Sequence, residues 1–302
     1  MHLNGVEIED TFAEAFGMQA TRVIITAISA RWARTAAETM TGFATSVIGC
    51  GVEAGIEAEL APAQTPDGRP GVSVLLFAMS GDDLAKHLER RAGQCVLTCP
   101  TTALFAGMEA GPEGGKPVPL GQRLRFFGDG HQASKLIDGR RYWRIPVMDG
   151  EFLCAELSAR VKAVGGGNFL VLATGVEAAL AACEAAVTAM RRLPNVVLPF
   201  PGGVVRSGSK VGSKYKALPA STNDAYCPTL RGLVESRLAP EIRAVLEIVV
   251  NGLTDADVRG ALRAGIGAAC AGGPESGVRR ISAGNYGGRL GQFHYPLREV
   301  LA

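Results

Sequence analysis

The chain has 302 residues, of which 47% are hydrophobic, and its formal net charge is +2. This length predicts one large domain or two closely associated lobes with ample apolar material for a core. The near-zero net charge gives no electrostatic reason to expect binding to nucleic acid or to an acidic membrane surface. No apolar run is long enough to span a membrane, and the N-terminus lacks a signal-peptide pattern. We therefore expect a soluble, cytoplasmic protein.

Cysteines and histidines suggest no metal or disulfide chemistry. The seven cysteines are odd in number and scattered, which argues against a disulfide framework. The four histidines form neither an HxH nor an HExxH pattern. We expect neither a metal site nor a disulfide.

The first half of the chain twice shows the order strand, helix, strand. These six predicted elements lie at 21–28, 30–41, 43–50, 72–79, 82–92 and 94–99. Ser29 and Ser80 are good N-cap residues for the two helices, and Gly42 is a natural residue to end the first one. The hydrophobic runs between these caps predict buried strands.

The middle of the chain has few helical signals. Residues 107–121 are rich in Gly and Pro, which predicts a surface loop. Residues 124–130 indicate a strand and a tight turn. Asp138-Gly139 opens a second turn, which predicts a hairpin. We expect a hairpin arm over 124–150.

The second half repeats the order of the first. Its predicted elements are a strand at 168–173, a helix that follows a capping box at 174–177 and ends at Arg192, an extended piece at 196–200, a strand at 245–250, a helix at 255–270 and a strand at 278–283. The repetition predicts an α+β protein of two similar lobes, each a split β-α-β (ferredoxin-like) sandwich with right-handed crossovers. The lobes would span 1–150, including the arm, and 151–302. An open doubly wound sheet is the alternative, although no GxGxxG follows a strand.

A single carboxylate interrupts the apolar run at 245–253. A β-branched run of this kind predicts a strand buried on both faces. An ionised Glu247 there would cost several kcal/mol, so either a partner holds it or its pKa is raised. A neutral carboxylic acid can donate a hydrogen bond to charge that develops on a substrate. The pattern alone favours a structural role, at a sheet edge or beside an arginine.

Two polar segments precede that run. Residues 203–210 nearly match a phosphate-binding P-loop, but the lysine comes one place too late, so nucleotide hydrolysis is not expected. The flexible backbone with Arg206, Lys210 and Lys214 suits an anionic ligand tail, although a solvated basic loop explains the pattern equally well. Residues 218–229 would orient a polar heterocycle or simply form a hydrogen-bonded turn.

Eight strings along the chain match one known family. They are NGVEIEDTFAEAF at 4–16, TPDGRPGV at 65–72, FFGDG at 126–130, PFPGG at 199–203, SKVGSK at 209–214, LPASTNDAYCPT at 218–229, EIVVNGL at 247–253 and ISAGNYGGRLGQ at 281–292. On these strings the chain resembles the formylmethanofuran:tetrahydromethanopterin N-formyltransferases over nearly its whole length. The resemblance implies formyl transfer between the amine of methanofuran and a ring nitrogen of tetrahydromethanopterin, by direct attack in a ternary complex. These two carriers are substrates, and no permanently bound cofactor is implied.

The resemblance also implies site residues. Glu247 matches the family's proposed catalytic glutamate, which would be protonated at rest and would hydrogen-bond the formyl oxygen as the tetrahedral oxyanion forms. Positions within or near the matched strings make eight polar residues candidates for substrate binding: Ser207, Lys210, Lys214, Ser221, Asn223, Asp224, Asn251 and Asn285.

The near-neutral charge points to one branch of that family. Archaeal members are typically strongly acidic, whereas this chain resembles the bacterial members from methylotrophs, which work in a formyltransferase/hydrolase complex. This implies a homo-oligomer (dimer or tetramer), further subunits, and formyl flow from the pterin to the furan carrier. The alternative is a non-catalytic scaffold or ligand-binding subunit of the same complex.

Overall fold

The computed structural model describes residues 1–111 and 114–302. By internal contacts, the chain divides into two compact units. Residues 18–163 form one, here called the N-terminal unit. Residues 1–17 and 164–302 form the other, the C-terminal unit. The predicted lobe boundary at residue 150 stays a prediction.

Strands make up most of the regular structure. They are β1 His2–Leu3, β2 Val6–Ile8, β3 Phe12–Thr26, β4 Glu53–Leu60, β5 Gly71–Ala78, β6 Ala103–Ala106, β7 Lys116–Pro119, β8 Ala133–Ile137, β9 Arg140–Val147, β10 Gly150–Ala155, β11 Leu157–Ala173, β12 Val196–Val197, β13 Lys210–Val211, β14 Ala220–Ser221, β15 Ala244–Gly252, β16 Val278–Ser282 and β17 Phe293–Pro296.

Helices alternate with these strands. The α-helices are α1 Ala30–Thr41, α2 Val47–Cys50, α3 Gly81–Arg91, α4 Gly121–Leu124, α5 Val176–Met190, α6 Asp255–Ala269 and α7 Leu297–Leu301. A π-helix covers Ala92–Leu97. Short 3₁₀ helices cover Pro62–Gln64, Arg125–Gly128, Pro201–Gly203, Asp224–Tyr226, Pro228–Leu230 and Pro274–Ser276. None of the helices in the described ranges is long and apolar enough to cross a membrane.

The N-terminal unit is a split β-α-β sandwich. Its core strands lie in the order β4-β5-β3-β6, and all neighbours are antiparallel. Along the chain they alternate with α1 and α3, which pack their apolar sides on the sheet. The edge strand β6 continues through a parallel pairing to β10 and then to the antiparallel β9 and β8.

The C-terminal unit repeats this plan. Its core order is β12-β15-β11-β16, again with antiparallel neighbours, and α5 and α6 cover one face. The edge strand β16 pairs in parallel with β2, which pairs with β1. The duplicated ferredoxin-like prediction is therefore confirmed. The doubly wound alternative is wrong, because such a sheet requires mostly parallel neighbours.

Two predicted strands of the N-terminal unit are wrong. Instead of a strand at 43–50, Ser46 caps a short helix by accepting a hydrogen bond from the Ile48 N–H, and the strand begins only at Glu53. Instead of a strand at 94–99, the chain forms the π-helix, which buries Ala92 and Val96 four residues apart. Helical spacing therefore buries the apolar residues of the second run, whereas the short helix of the first run buries none of its own residues.

The predicted arm is partly correct. Asp138 and Gly139 have φ angles of 49° and 74°, as the tight hairpin turn requires, and they join β8 to β9. The predicted strand over 124–130 is wrong: its first five residues are helical, and the arm starts at β8. The predicted loop at 107–121 contains β7, and its residues 112 and 113 lie outside the described part.

The apolar run at 245–253 forms β15, but its two faces differ. Ala244, Leu246, Ile248 and Val250 are buried under α5 and α6. Val245, Glu247 and Val249 point to the opposite face and are half-buried. The prediction of burial on both faces is therefore wrong for the face that carries Glu247.

Because the two faces differ in burial, substitutions at two neighbouring positions should lower the free energy of unfolding by different amounts. Ile248→Ala removes a fully buried side chain and should lower the free energy of unfolding by about 2–5 kcal/mol. Val249→Ala, on the half-buried face, should cost about 1 kcal/mol. Urea denaturation followed by circular dichroism measures both, and equal losses would contradict the assignment of the two faces.

Candidate active site

Glu247 lies in the middle of β15 with its backbone held on both sides. Its N–H donates to the Val205 carbonyl at 2.8 Å, and the Val205 N–H donates to the Glu247 carbonyl at 2.7 Å. On the other side it is paired with Leu170 of β11. The side chain therefore leaves a fixed backbone toward the sheet face away from the helices.

A small cluster covers part of that face. Tyr226, Leu238 and Ile242 pack on Leu170 and Leu172 of β11. The Tyr226 hydroxyl lies 3.2 Å from the Ser282 hydroxyl, which anchors the tyrosine over the sheet. Beside this cluster is a small pocket of about 40 Å³, open to solvent and lined in part by Glu247, Tyr226, Asn223, Ser207 and Arg206.

The carboxyl group of Glu247 is largely withdrawn from solvent. Burial raises the pKa of Glu247 to about 7. Within the described residues we find no ion pair or hydrogen bond to this carboxyl group. Glu247 therefore does not lie at a sheet edge, and in the described residues it forms no ion pair with an arginine, although Arg206 lines the same pocket. A carboxyl group with this pKa is about half protonated at neutral pH and can donate a hydrogen bond.

Residues 203–214 bring only some of the predicted substrate-binding residues to the pocket. Ser207 lines the pocket, and its carbonyl accepts a hydrogen bond from Thr222 at 3.3 Å. Lys210 instead forms an ion pair with Asp224, and this contact lowers the pKa of Asp224. Lys214 is exposed and does not line the pocket.

In the polar segment at 218–229, too, only some of the predicted substrate-binding residues line the pocket. Asn223 lines the pocket, and we find no hydrogen bond to its side-chain amide within the described part of the chain. The Ser221 hydroxyl donates to the Gly212 carbonyl at 2.7 Å and so closes the β13–β14 ribbon. Asn223 is therefore positioned for a ligand, whereas Ser221 holds the loop.

The two remaining asparagines support the backbone. The side-chain Oδ1 of Asn251 accepts from the Gly166 N–H at 2.9 Å, at a bulge of β11 where Gly166 has a φ of 87°. Asn285 donates to Thr11 and to the Phe12 carbonyl at 3.1–3.2 Å. Asn251 lies near the end of β15, whereas Asn285 lies three residues beyond β16, and in this structure both amides are engaged with the protein itself.

Sequence reasoning assigned no role to several residues around this face. Asn168, opposite Val249, bonds both the N–H and the carbonyl of Gly284. Glu14 accepts four backbone hydrogen bonds from residues 286–291. Glu14, Tyr226 and Tyr286 lie in strings that carried the resemblance, and that was their only signal.

Known proteins are similar to this chain in sequence and in fold. A family model described as formylmethanofuran-tetrahydromethanopterin formyltransferase matches residues 1–147, and a second, described as the proximal lobe, matches residues 150–300. The chain is 68% identical to the formylmethanofuran–tetrahydromethanopterin formyltransferase of Methylococcus capsulatus, with 100% of both chains covered.

Two solved structures agree with these matches. One is the formyltransferase/hydrolase complex of Methylorubrum extorquens with methylofuran, whose matching chain is 53% identical, with a TM-score of 0.96 over 100% of this chain and 99% of that one. The other is the formylmethanofuran:tetrahydromethanopterin formyltransferase of Methanosarcina barkeri, which is 46% identical, with a TM-score of 0.92 over 99% and 100% of the chains.

The raised pKa of Glu247 can be measured directly. Because burial favours the protonated form in the fold, stability should fall as the pH rises from about 4.5 to about 7, by about 3 kcal/mol at most. Glu247→Gln should remove this part of the pH dependence. Carbon-13 NMR of labelled glutamate, with the variant to assign the signal, checks it. Titration near 4.3 would contradict the prediction.

Proposed function

The chain belongs to the formylmethanofuran–tetrahydromethanopterin formyltransferase family and is a formyltransferase, and we propose that it passes formyl from the pterin carrier to the amine of the furan carrier. The direction is supported by the likeness to a subunit of a complex that joins a formyltransferase to a hydrolase. A hydrolase in the same particle would consume the formylated furan carrier. Removal of that product would draw the transfer in this direction.

The observation that carries the mechanism is the buried carboxyl group of Glu247 without an internal partner. The amine nitrogen attacks the formyl carbon, and the carbonyl electrons move to its oxygen. The Glu247 carboxylic acid donates a hydrogen bond to that oxyanion and keeps its proton. Collapse restores the carbonyl and breaks the bond to the ring nitrogen, while one proton moves from the attacking amine to the leaving nitrogen. Hydrogen bonds that strengthen only in the transition state lower the barrier.

The basic loop would attract the acidic part of a carrier. Arg206, Lys214 and Lys216 are exposed, and in the described residues none of the three forms an ion pair. Lys210 is neutralised by Asp224, so its predicted contact with substrate has less support than that of Lys214. Exposed charges of this kind raise the rate at which the carrier meets the protein more than they raise its affinity. Salt screens this attraction.

The proposed partners follow from the same likeness. A relative in a formyltransferase/hydrolase complex supports further subunits for this chain. The homo-oligomer and the cytoplasmic location remain predictions. A silent scaffold subunit is the competing function, and it would not require a carboxyl group with a raised pKa in a pocket.

Loss of the Glu247 carboxyl group should abolish most of the activity. Glu247→Ala should lower kcat for formyl transfer by about 10²–10³-fold, because one oxyanion donor is lost. Glu247→Gln keeps a donor and should lose less. The assay uses the protein with its co-purifying subunits, formyl-tetrahydromethanopterin and methanofuran. Near-normal turnover of the alanine variant would exclude the proposed mechanism.

Carrier binding should depend on salt through the exposed lysines. Lys214→Ala with Lys216→Ala should raise KM at low salt and flatten its increase with ionic strength, while kcat stays unchanged. Lys135→Ala, which changes an exposed lysine on β8, is the matched control. A KM that is indifferent both to salt and to the double substitution would contradict an electrostatic role.

A further inference from the structure

A row of three paired residues crosses the sheet beneath the candidate active site. Leu170 of β11 is paired with Glu247 of β15 on one side and with Ser282 of β16 on the other. Directly paired residues of antiparallel strands direct their side chains to the same face, with Cβ atoms about 5 Å apart. The carboxyl group of Glu247 and the hydroxyl group of Ser282 therefore belong to one face, on either side of Leu170.

Tyr226 lies over this row. Its side chain packs on Leu170 and Leu172 and is almost completely buried. Its hydroxyl lies 3.2 Å from that of Ser282, which is itself 1% exposed. At the other end of the row, Tyr226 and Glu247 line the same small pocket. The tyrosine therefore extends from Ser282 across Leu170 to the wall of the pocket.

The backbone around Tyr226 is fixed as well. Asp224–Tyr226 form a 3₁₀ helix, and the Tyr226 N–H donates to the Asn223 carbonyl at 3.0 Å. The Ala225 carbonyl accepts from the Arg237 N–H at 2.9 Å. The tyrosine is thus held at its backbone and at its hydroxyl, so its ring keeps its place over the sheet.

The pocket leaves little space for water beside the Glu247 carboxyl group. A space of about 40 Å³ holds only a few water molecules. Arg206, Cys227 and Tyr226 are the other charged or titratable side chains that line it, and among the described residues none of them forms a hydrogen bond or an ion pair with this carboxyl group. The protonation of Glu247 therefore depends on how well its surroundings exclude water.

We propose that Tyr226, anchored by Ser282, is the positioning residue that keeps water away from the Glu247 carboxyl group. The inference rests on the proposed formyl transfer, in which that group acts as a protonated donor. Tyr226 itself neither gives nor takes a proton. Its ring fills space through which water would otherwise solvate the carboxylate, and a well-solvated glutamate is ionised at neutral pH.

Tyr226→Ala removes the ring and tests this role. The pKa of Glu247 should fall from about 7 to below about 6, because water then reaches the carboxylate. Carbon-13 NMR of labelled glutamate, assigned with Glu247→Gln, measures this pKa without turnover. Tyr226→Leu, which lacks the ring but keeps an apolar contact with Leu170, replaces the alanine variant if that one does not fold. A pKa that stays near 7 would overturn the proposal.

The same substitution should change the pH dependence of formyl transfer. At pH 7 the kcat/KM of Tyr226→Ala relative to wild type should fall about fivefold, since the protonated fraction of Glu247 falls from about one half to about one tenth. At pH 5 Glu247 is protonated in both proteins, so the two values should agree within about twofold. An equal loss at both pH values would indicate damage to the fold and would contradict the positioning role.

Two milder variants test the ring and its anchor separately. Tyr226→Phe keeps the ring and loses only the hydroxyl, so the pKa of Glu247 should fall by less than half as much as in Tyr226→Ala. Ser282→Ala should give the same result as Tyr226→Phe, because either change removes the bond between the two hydroxyls. A fall as large as that of Tyr226→Ala in the phenylalanine variant would contradict the role of the ring, and a different result for Ser282→Ala would contradict the anchor.

Leu238→Ala is the matched control. Leu238 belongs to the same apolar cluster as Tyr226 but does not line the pocket, so its loss should leave the pKa of Glu247 unchanged. A fall comparable to that of Tyr226→Ala would show that any gap in the cluster has this effect, and the assignment to Tyr226 would be wrong.

The titration and the assay separate this inference from the proposed function. If the wild-type complex transfers formyl and the pKa of Glu247 is the same in Tyr226→Ala as in wild type, only the inference about Tyr226 fails. If the wild-type complex transfers no formyl group at all, the proposed function fails, whatever the titration shows.

Discussion

The sheet of the C-terminal unit is packed by helices on one face only, and the chemistry depends on this asymmetry. The regular alternation of β15 puts Leu246 and Ile248 into the core and Glu247 onto the other face. Antiparallel pairing on both sides fixes the backbone, so the side chain of Glu247 cannot change to the other face without breaking the sheet. The same pairing supplies the structural support that an acid without an internal partner requires.

The two units show that the fold alone does not create this site. Both have the same strand order and the same antiparallel pairings. In β5, which holds the place of β15 in the N-terminal unit, all eight residues are buried, and Ser73 and Leu75 stand on the face away from the helices. The repeated architecture is thus a scaffold, and a half-open face with one acidic residue makes the difference between the units.

The sequence predicted what depends on local patterns. Caps and apolar periodicity located the long helices, and the repetition indicated the ferredoxin-like order. The strand prediction failed at 94–99, because apolar residues four apart serve a helix as well as a short strand, and at 43–50, where the short helix buries none of its residues. The sequence identified Glu247 as unusual, but it did not show that the sheet face that carries Glu247 is only half-buried. The roles of Asn285 and Glu14 depend on partners more than 270 residues away, which no local pattern contains.

The distance along the chain between Glu14 and Gly291 limits how this protein can be dissected. A fragment that starts near residue 150 would keep Glu247 and Tyr226 but lose β2, β3 and the Glu14 carboxylate that binds residues 286–291. Four N–H groups would then lack their acceptor, and β16 would lose its parallel neighbour. Complementation with the excised N-terminal peptide is the natural way to restore such a fragment, since those first residues are an integral part of the lobe that carries the chemistry.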